Sequence, residues 1–427
     1  MHRLDVRVSA DQGDLVGAAA AFRVDARRYG CAARLHDVRG GPSPALPRAL
    51  SAARVRTVRV TPPLWSEART RHQCVRATGL SPDHWYAVEY ERAIRADRPT
   101  SVTFWETPIA LYRDAGGRVR ALEDRCAHRQ LQLSLGTVTA GCLTCPYHGW
   151  AYDAGGRLAR VPHDLFGHDL PSVRIRAYPV RVRYGLVWIF PGDPARAAAT
   201  PMPELPELEG PDPWAYVPLS FTWRAHHSMI IDNLCDLSHA HLHRRYPSFL
   251  PGRLLGVTAD ENRVRMEYEA KVGPLHPRAG SGSKILTIAY EYPYHRAQFE
   301  WSGMEGRISY WSFLLPIDRR TTRVFFMFCY DTLRIPGVPL PIGHRLMRWI
   351  LRLAHRPIVL PLLREDGFAL EAEQEGYDAH WDAPAIEVNP VVARLHDLTI
   401  RKWRAHLGSD SGPGDHAADV VALTADA

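Results

Sequence analysis

Residues 126–150 read CAHRQLQLSLGTVTAGCLTCPYHGW and contain two Cys-His pairs, Cys126-x-His128 and Cys145-x-x-His148. Thiolates and imidazoles that converge from two loops bind either one tetrahedral zinc ion or a [2Fe-2S] cluster, which has two cysteines on one iron and two histidines on the other. Zinc sites commonly place about two to four residues inside each pair, whereas a single residue separates Cys126 from His128. The spacing therefore favours the cluster over zinc.

The two boxes and the tail CPYHGW resemble those of the Rieske proteins. High-potential members carry an additional cysteine in each box, and these two cysteines form a disulfide. The matching positions here hold Leu131 and Tyr147, so the stretch resembles the lower-potential Rieske domain of oxygenases. The resemblance implies these cluster ligands: Cys126, His128, Cys145 and His148.

The composition is that of an ordinary globular protein, because 46% of the 427 residues are hydrophobic and 23% are charged. This length predicts two or three domains. Seven cysteines, an odd number, fit a reducing compartment better than a disulfide framework, and we expect the cytoplasm. The formal charge of +7 comes without a Lys/Arg run or a nucleic-acid-binding motif, so we expect no nucleic acid partner and favour an acidic protein partner.

Turns and prolines divide the chain into four segments. Residues 1–79 are rich in Ala and Arg, show no sustained apolar period, and are expected to be a poorly structured extension. Short alternating runs separated by DAGG turns predict an all-β Rieske domain at 80–200. The Pro-rich stretch PMPELPELEGPDP marks its end, so we expect a catalytic domain at 201–407 and a disordered tail at 408–427.

A second group of candidate ligands lies in HHSMIIDNLCDLSHAHLHRRYPSF, residues 226–249. On an α-helix, which turns by about 100° per residue, His239 and His243 lie roughly 40° apart with Asp236 beside them. His241 points to nearly the opposite side. Two imidazoles and one carboxylate on one face predict a 2-His-1-carboxylate iron site, which leaves coordination positions open for O₂ and substrate.

The same segment resembles the Asn-x-x-Asp-x-x-His catalytic motif of Rieske oxygenases, here Asn233, Asp236 and His239. The resemblance implies that His239 and His243 bind iron and that Asp236 links the two metal centres. Members of the family more often have four residues between the histidines, whereas this chain has three. A four-residue gap would end on an arginine, which cannot bind a metal, so His243 is favoured over His241.

The third iron ligand is expected in a helix that contains REDGFALEAEQEG, residues 364–376. By resemblance to a distal Glu-Asp pair in the family, Asp366 is chosen, and Glu365 is the alternative. His226 and His227 lie outside the helical register of the histidine motif. We expect them at the surface or in a pocket.

A basic amphipathic helix precedes this segment and is expected to end or kink at Pro357. Its arginines recur at helical spacing between apolar residues: Arg345, Arg348, Arg352 and Arg356. They recur too often for a membrane span. We expect an ordinary solvated face, with a membrane surface or an acidic electron carrier as the alternative contact.

The predicted fold class is α+β. Period-2 alternation across residues 254–333 predicts an antiparallel sheet, and the resemblance implies that this sheet wraps against long helices as a helix-grip domain after the N-terminal all-β Rieske domain. Aromatic residues in these strands either line a substrate pocket or form plain core. They are Phe299, Trp301, Tyr310, Trp311, Phe313, Phe326 and Phe328.

The resemblance implies the catalytic α subunit of a Rieske non-haem iron oxygenase, similar to single-subunit relatives of vanillate demethylase and pheophorbide oxygenase. Such a homotrimer would use O₂, a mononuclear Fe(II) and electrons from a separate ferredoxin or NAD(P)H-dependent reductase, since the chain has no flavin or nicotinamide motif. It would hydroxylate, demethylate or oxidatively cyclise a small aromatic or polycyclic substrate. The alternatives are an electron-transfer Rieske protein and a non-catalytic helix-grip ligand binder.

Overall fold

The computed structural model describes residues 61–243, 252–270, 284–300, 306–332, 343–357 and 359–408. Within these ranges the chain forms four antiparallel sheets and five α-helices. Three small sheets precede a seven-stranded sheet, and this arrangement confirms the predicted α+β fold class. The predicted extension up to residue 60 and the predicted tail from residue 409 lie outside the described residues.

The small sheets are built from short strands joined by tight turns. Gly117 and Gly156 end the two DAGG turns with φ of +75° and +79°, a conformation that glycine adopts without steric cost. The strand orders are β1-β11-β10, β2-β3-β4-β9 and β5-β6-β7-β8. The strands are β1 (Tyr86–Tyr90), β2 (Thr100–Phe104), β3 (Thr107–Arg113), β4 (Val119–Glu123), β5 (Thr137–Thr139), β6 (Cys142–Thr144), β7 (Ala151–Tyr152), β8 (Leu158–Arg160), β9 (Ala177–Tyr178), β10 (Val180–Arg183) and β11 (Leu186–Ile189).

The large sheet has the order β12-β18-β17-β16-β15-β14-β13. Its neighbouring strands are antiparallel, and side chains alternate between its two faces. One face packs against helices and the other packs partly against the small sheets. The strands are β12 (Ala215–Trp223), β13 (Arg253–Ala259), β14 (Arg263–Ala270), β15 (Lys284–Glu291), β16 (Tyr294–Glu300), β17 (Arg307–Asp318) and β18 (Thr321–Tyr330).

None of the described helices is both long and apolar enough to cross a membrane. A continuous α-helix through the histidine motif was predicted, and this prediction is wrong beyond Cys235. Asp236 adopts an extended conformation (φ −99°, ψ 109°), and its side chain accepts a hydrogen bond from the backbone of Ser238, which starts a 3₁₀ helix, Leu237–His241. The α-helices are α1 (Arg71–Arg76), α2 (His227–Cys235), α3 (His344–His355), α4 (Val359–His380) and α5 (Pro390–Leu407).

Helix α1 lies within the first 79 residues, where the sequence indicated no ordered structure. Thr70 and Gln73 form a capping box at its start. At its end the buried Arg76 pairs with Asp232 of α2 and with Glu373 of α4, both at 2.9 Å. These partners are distant in sequence, so a local pattern does not reveal why this short segment is ordered.

Main-chain hydrogen bonds join the small sheets to the large one. At the β2–β3 turn, Trp105 and Glu106 have positive φ (46° and 64°). Trp105 N donates to Pro316 O at 2.8 Å, and Glu106 N donates to the next carbonyl along the chain at 2.6 Å. Nearby, Arg323 of β18 makes two hydrogen bonds to the carboxylate of Glu89 in β1, at 2.8 and 3.0 Å.

Candidate functional site

The four residues of the two Cys-His boxes meet at two neighbouring loops. Cys126 and His128 follow β4, whereas Cys145 and His148 lie in the turn between β6 and β7. Both cysteines are buried, both histidines are half-buried, and the two imidazole centroids lie 4.6 Å apart. The site therefore has two thiols inside and two imidazoles at its rim.

The second loop is held by its own backbone. Cys145 N donates to Trp150 O at 2.9 Å, and Gly149 N donates to Cys145 O at 3.1 Å. Gly149 has a φ of +68°, and a Cβ at this position would lie 2.6 Å from the ring of Pro162. Glycine is therefore required here on both grounds.

Two aromatic side chains support this site, and one of them, Tyr152, was not predicted. Its hydroxyl accepts a hydrogen bond from Ala127 N at 3.0 Å and lies 3.3 Å from Cys126 Sγ. Burial and the adjacent Cys126 raise the pKa of Tyr152, so the protonated hydroxyl can donate to sulfur. Trp150 stacks on His128 at 4.7 Å with an interplanar angle of 7°. β7 has only two residues and both are buried, so no alternation in the sequence could have identified Tyr152.

This donor set fits a [2Fe-2S] cluster. Burial raises the pKa of the Cys145 thiol, and the neighbouring thiol of Cys126 adds to this effect. His128 Nδ1 is buried and has no hydrogen-bond partner in the described part of the chain, as expected of a nitrogen that faces a metal. Two thiolates suit one iron and two imidazoles suit the other.

The second group of predicted ligands also comes together. His239, His243 and Asp366 each offer one donor atom, and these atoms all lie within 4.8 Å of one another. Asp366 Oδ1 is 3.1 Å from His243 Nε2 and 3.6 Å from His239 Nε2. His241, the alternative ligand, is exposed and is not in this group. Two imidazoles and a carboxylate fit the ligand set of a non-haem iron.

The residues of the Asn-x-x-Asp-x-x-His motif have separate local tasks. The carboxylate of Asp236 was expected on the ligand face of a helix, but it accepts a hydrogen bond from Ser238 N at 2.7 Å and caps the 3₁₀ helix that carries His239. Asn233, in the last turn of α2, donates from Nδ2 to Asp366 Oδ1 at 3.5 Å. Asn233 therefore touches the carboxylate oxygen that faces the imidazoles.

Glu365, the alternative third ligand, contacts the side of the His243 ring that faces away from Asp366. Its Oε2 lies 3.0 Å from His243 Nδ1, while His243 Nε2 faces Asp366. Burial opposes a charge on His243, but the carboxylates of Asp366 and Glu365 outweigh it and raise the pKa. Burial lowers the pKa of His239, which favours the neutral imidazole that a metal requires.

The predicted aromatic residues divide between the two faces of the large sheet. On the helix side, the rings of Tyr310 and Phe328 are paired across β17 and β18, with centroids 5.3 Å apart. On the opposite side, Phe313 packs against Trp188 of β11 at 4.8 Å. The helix side holds Phe299, Tyr310, Phe326 and Phe328, the opposite side holds Trp311 and Phe313, and Trp301 lies outside the described residues.

The helix side of the sheet borders the second group of ligands. Burial raises the pKa of Tyr310, and the neighbouring Cys235 and Asp366 add to this effect. His295 is fully buried one strand away, with its ring 5.5 Å from that of Tyr310. An aromatic wall with a few polar groups, next to a candidate metal site, is the usual composition of a small-molecule pocket.

Comparison with known families assigns both parts of the chain. Residues 84–170 match the Rieske [2Fe-2S] domain, and residues 223–409 match the vanillate O-demethylase oxygenase C-terminal domain. The first match contains both Cys-His boxes, and the second contains His239, His243 and Asp366. The zinc alternative for the first site is therefore excluded.

Curated relatives extend these matches. The 4β-methylsterol monooxygenase of Methylococcus capsulatus is 41% identical over 356 residues, which cover 82% of this chain and 95% of that protein. The vanillate O-demethylase oxygenase subunit of a Pseudomonas species is 42% identical over 131 residues, which cover 31% of this chain and 39% of that protein. These relatives are oxygenases, so neither a pure electron carrier nor a non-catalytic binder describes the chain.

The fold agrees with this assignment. The crystal structure of dicamba monooxygenase bound to dicamba superposes with a TM-score of 0.63 at 24% sequence identity, and the match covers 78% of this chain and 99% of that one. A likeness at this identity shows the fold alone. Together with the full-length relative and the two family matches, it establishes that the chain belongs to the Rieske non-haem iron oxygenases, whose cofactors are a [2Fe-2S] cluster and a mononuclear iron.

Proposed function

We propose that this oxygenase hydroxylates or oxidatively demethylates a methylated polycyclic substrate of the sterol class. The observation that carries the proposal is the approach of Asp366 Oδ1 to the Nε2 atoms of His239 and His243 beside an aromatic sheet face. The relative that matches over nearly its whole length is a methylsterol monooxygenase, which supports this substrate class. Tyr310 supplies a hydroxyl on that face for a polar group of the substrate.

His239, His243 and Asp366 are proposed as the iron ligands. Iron held by two imidazoles and one carboxylate keeps positions open for O₂ and substrate and supplies the oxidation chemistry. Glu365 fixes the tautomer of His243 by accepting from its Nδ1, so Nε2 is available to the metal. Asn233 holds the carboxylate of Asp366 in place.

The cluster residues Cys126, His128, Cys145 and His148 are proposed to receive electrons from a separate ferredoxin or NAD(P)H-dependent reductase. We propose a homotrimer in which the cluster of one subunit lies next to the iron of its neighbour and Asp236 links the two. Leu135 and Tyr147, both exposed next to the boxes, support a protein contact at this tip. The six described cysteines form no disulfide, which supports a cytoplasmic location.

The domain boundaries stay a proposal: a Rieske domain at 80–200 and a catalytic domain at 201–407. The Pro-rich linker between them is anchored on the large sheet. Glu207 of the linker is buried and bonds to Arg296 at 2.5 Å and to Trp311 Nε1 at 3.0 Å.

Iron content and product formation together test the function. The purified protein should hold about three iron atoms per chain, Asp366→Ala about two with the cluster absorbance intact, and Cys145→Ala no cluster absorbance. With a reductase and a 4β-methylsterol, mass spectrometry should find a product that has gained oxygen. An oxygenated product from small aromatic acids alone would reject the sterol class, and loss of both metals in Asp366→Ala would reject the ligand assignment.

A further inference from the structure

Helix α3 has more apolar surface than the described residues cover. Met347 and Leu351 are buried against the large sheet, with 0% and 4% of their surface exposed. Leu346, Trp349 and Leu353 form a second apolar stripe on the same helix and are 56%, 61% and 48% exposed. At about 100° per residue the three lie within roughly 60° of one another, so they form one continuous face.

A row of positive charge borders this stripe. Arg352 and Arg356 are exposed and Arg348 is half-buried, and on the helical wheel all three lie between the buried His355 and the exposed Trp349, along one edge of the stripe. The sequence of α3, HRLMRWILRLAH, contains no Asp or Glu. The uncovered face therefore combines Trp and Leu side chains with arginines, and α3 itself contributes no negative charge.

We propose that the uncovered face of α3 docks this oxygenase on the surface of an anionic lipid bilayer. The helix would lie parallel to the surface, with Leu346, Trp349 and Leu353 among the acyl chains and the arginines at the headgroups. Tryptophan prefers this interface, because its ring is apolar and its N–H is polar. Twelve residues are too few to span the bilayer, so α3 binds at the interface.

The charge pattern favours lipid over the other occupants. A second copy seated on this face by two-fold symmetry would bring two arginine rows together without acidic partners on α3, and contact with a different face of a neighbour, as in the proposed trimer, is tested by the oligomeric mass of the α3 variants. An acidic electron carrier would pair with the arginines, but it would leave a leucine and tryptophan stripe to be matched by an apolar patch. An anionic bilayer offers acyl chains to the apolar stripe and negatively charged headgroups to the arginines.

The position of α3 gives the contact a consequence for the substrate. On its inner side His355 packs against Phe328 at 5.2 Å, and Phe328 packs against Tyr310 at 5.3 Å. The proposed docking face is thus separated from the pocket wall by one helix. A substrate dissolved in the membrane would reach the protein on that side, although the docking proposal does not depend on the identity of the substrate.

Vesicle binding of the full-length, metal-loaded protein tests the proposal. We expect it to sediment with phosphatidylcholine vesicles that contain about one quarter phosphatidylglycerol, and to bind at least about tenfold more weakly to pure phosphatidylcholine or at high salt. Trp349→Ser with Leu353→Ser, and separately Arg352→Gln with Arg356→Gln, should each reduce binding at least about tenfold. The matched control is Ile386→Ser with Val388→Ser, which removes two apolar side chains that are 87% and 78% exposed elsewhere, and it should bind like the parent.

Two further measurements separate docking from other effects. Bromine-labelled lipids should quench part of the tryptophan fluorescence, and Trp349→Phe should remove that part while cluster absorbance and iron content stay unchanged. Equal vesicle binding by the parent and the α3 variants would overturn the proposal. So would a change in oligomeric mass caused by the α3 variants, because the stripe would then be a subunit interface. Salt-sensitive binding to an acidic ferredoxin without binding to vesicles would also overturn it and assign the face to the redox partner.

Discussion

Adjacent carboxylates on α4 serve the same imidazole from opposite sides. Glu365 Oε2 lies 3.0 Å from His243 Nδ1, and Asp366 Oδ1 lies 3.1 Å from His243 Nε2. An imidazole that donates from Nδ1 presents a lone pair at Nε2, which is the form a metal binds. Asp366 also reaches His239, whereas Glu365 is outside the group of converging donors. The geometry therefore gives the two neighbours different roles.

Glu365→Gln should weaken the mononuclear site without abolishing it. The amide still reaches His243 but lacks the charge that favours the correct tautomer, so we expect iron affinity to fall by about 10- to 100-fold. Iron titration of cluster-loaded protein measures this. Glu375→Gln, on an exposed position of the same helix, should bind iron like the parent. Complete loss of iron from Glu365→Gln would instead make Glu365 a ligand.

The variant Asp236→Asn distinguishes the helix-capping role of Asp236 from its proposed role in linking the two metal centres. Asparagine is as good a cap as aspartate, so we expect the free energy of unfolding to change by less than about 0.5 kcal/mol. Product formed in a single turnover of pre-reduced enzyme should fall at least about tenfold, because the proposed link between the two metal centres loses its charge. Asp260→Asn, which removes the same charge from a remote hairpin turn, should leave turnover unchanged. Cluster reoxidation at the parent rate in Asp236→Asn would exclude the linking role.

At the scale of elements, a buried ionic cluster fixes the helix that leads into the proposed iron site. Arg76 of α1 pairs with Asp232 of α2 at 2.9 Å, and His396 Nε2 of α5 lies 2.9 Å from the same carboxylate oxygen. Burial opposes the charge on Asp232, but His396 and Arg76 outweigh burial and lower its pKa. Three helices thus meet one turn before Asp236.

Asp232→Asn should therefore destabilise the fold. Arg76 would keep the hydroxyl of Ser228 but only one charged partner, the exposed Glu373, so we expect a loss of about 3 kcal/mol in the free energy of unfolding by urea. Glu209→Gln breaks the exposed pair with Arg183 and should cost less than about 1 kcal/mol. If the two variants unfold at the same urea concentration, the buried cluster does not hold α1 in place.

At the scale of the whole molecule, several histidines are buried in their neutral form. His226 and His227, expected at the surface or in a pocket, are each 1% exposed, and both rings face the carbonyl of Thr78 at 3.0 and 3.3 Å. Burial is also the main cause of a lowered pKa in a larger set of histidines. The histidines whose pKa is lowered to about 4 are His72, His84, His227 and His355.

Acidification should consequently destabilise the folded state well above the range in which carboxylates titrate. For His227 the pKa falls from 6.5 to about 4, so between these values the unfolded chain binds a proton that the folded chain does not. Stability is therefore lost as the pH falls through this window, by about 2 kcal/mol for such a histidine at pH 5. Arg76 lowers the pKa of His227 further and Asp232 opposes this effect.

Thermal unfolding midpoints between pH 7.5 and 5, taken where the cluster absorbance is intact, measure this loss. His227→Gln keeps an N–H donor for Thr78 but cannot titrate, so its midpoint should depend less on pH than that of the parent. Identical pH dependence in the two proteins would exclude His227 as a source of the acid sensitivity.

Most of what could be predicted about the fold and the site came from short sequence motifs. The Cys-His boxes and the Asn-x-x-Asp-x-x-His segment identified the residues that the structure groups into two sites, and their roles as ligands stay predictions. The fold class and the oxygenase family are confirmed. The end of α2 was missed because a side-chain hydrogen bond of Asp236 overrides the helical pattern. Arg76 was missed because its partners lie 156 and 297 residues further along the chain.

The main-chain contacts at Trp105 and Glu106 have a mechanical consequence. A hinge needs a segment whose backbone groups can exchange hydrogen-bond partners. Here two backbone amides of the cluster domain donate to carbonyls of the iron domain, and Arg323 bonds to Glu89 beside them. The cluster-bearing and iron-bearing halves should therefore melt in a single calorimetric transition. Within one chain the cluster domain is therefore fixed relative to the iron domain when the chain folds, so the proposed electron path between subunits depends on how these rigid chains assemble and on no swinging motion of the cluster domain.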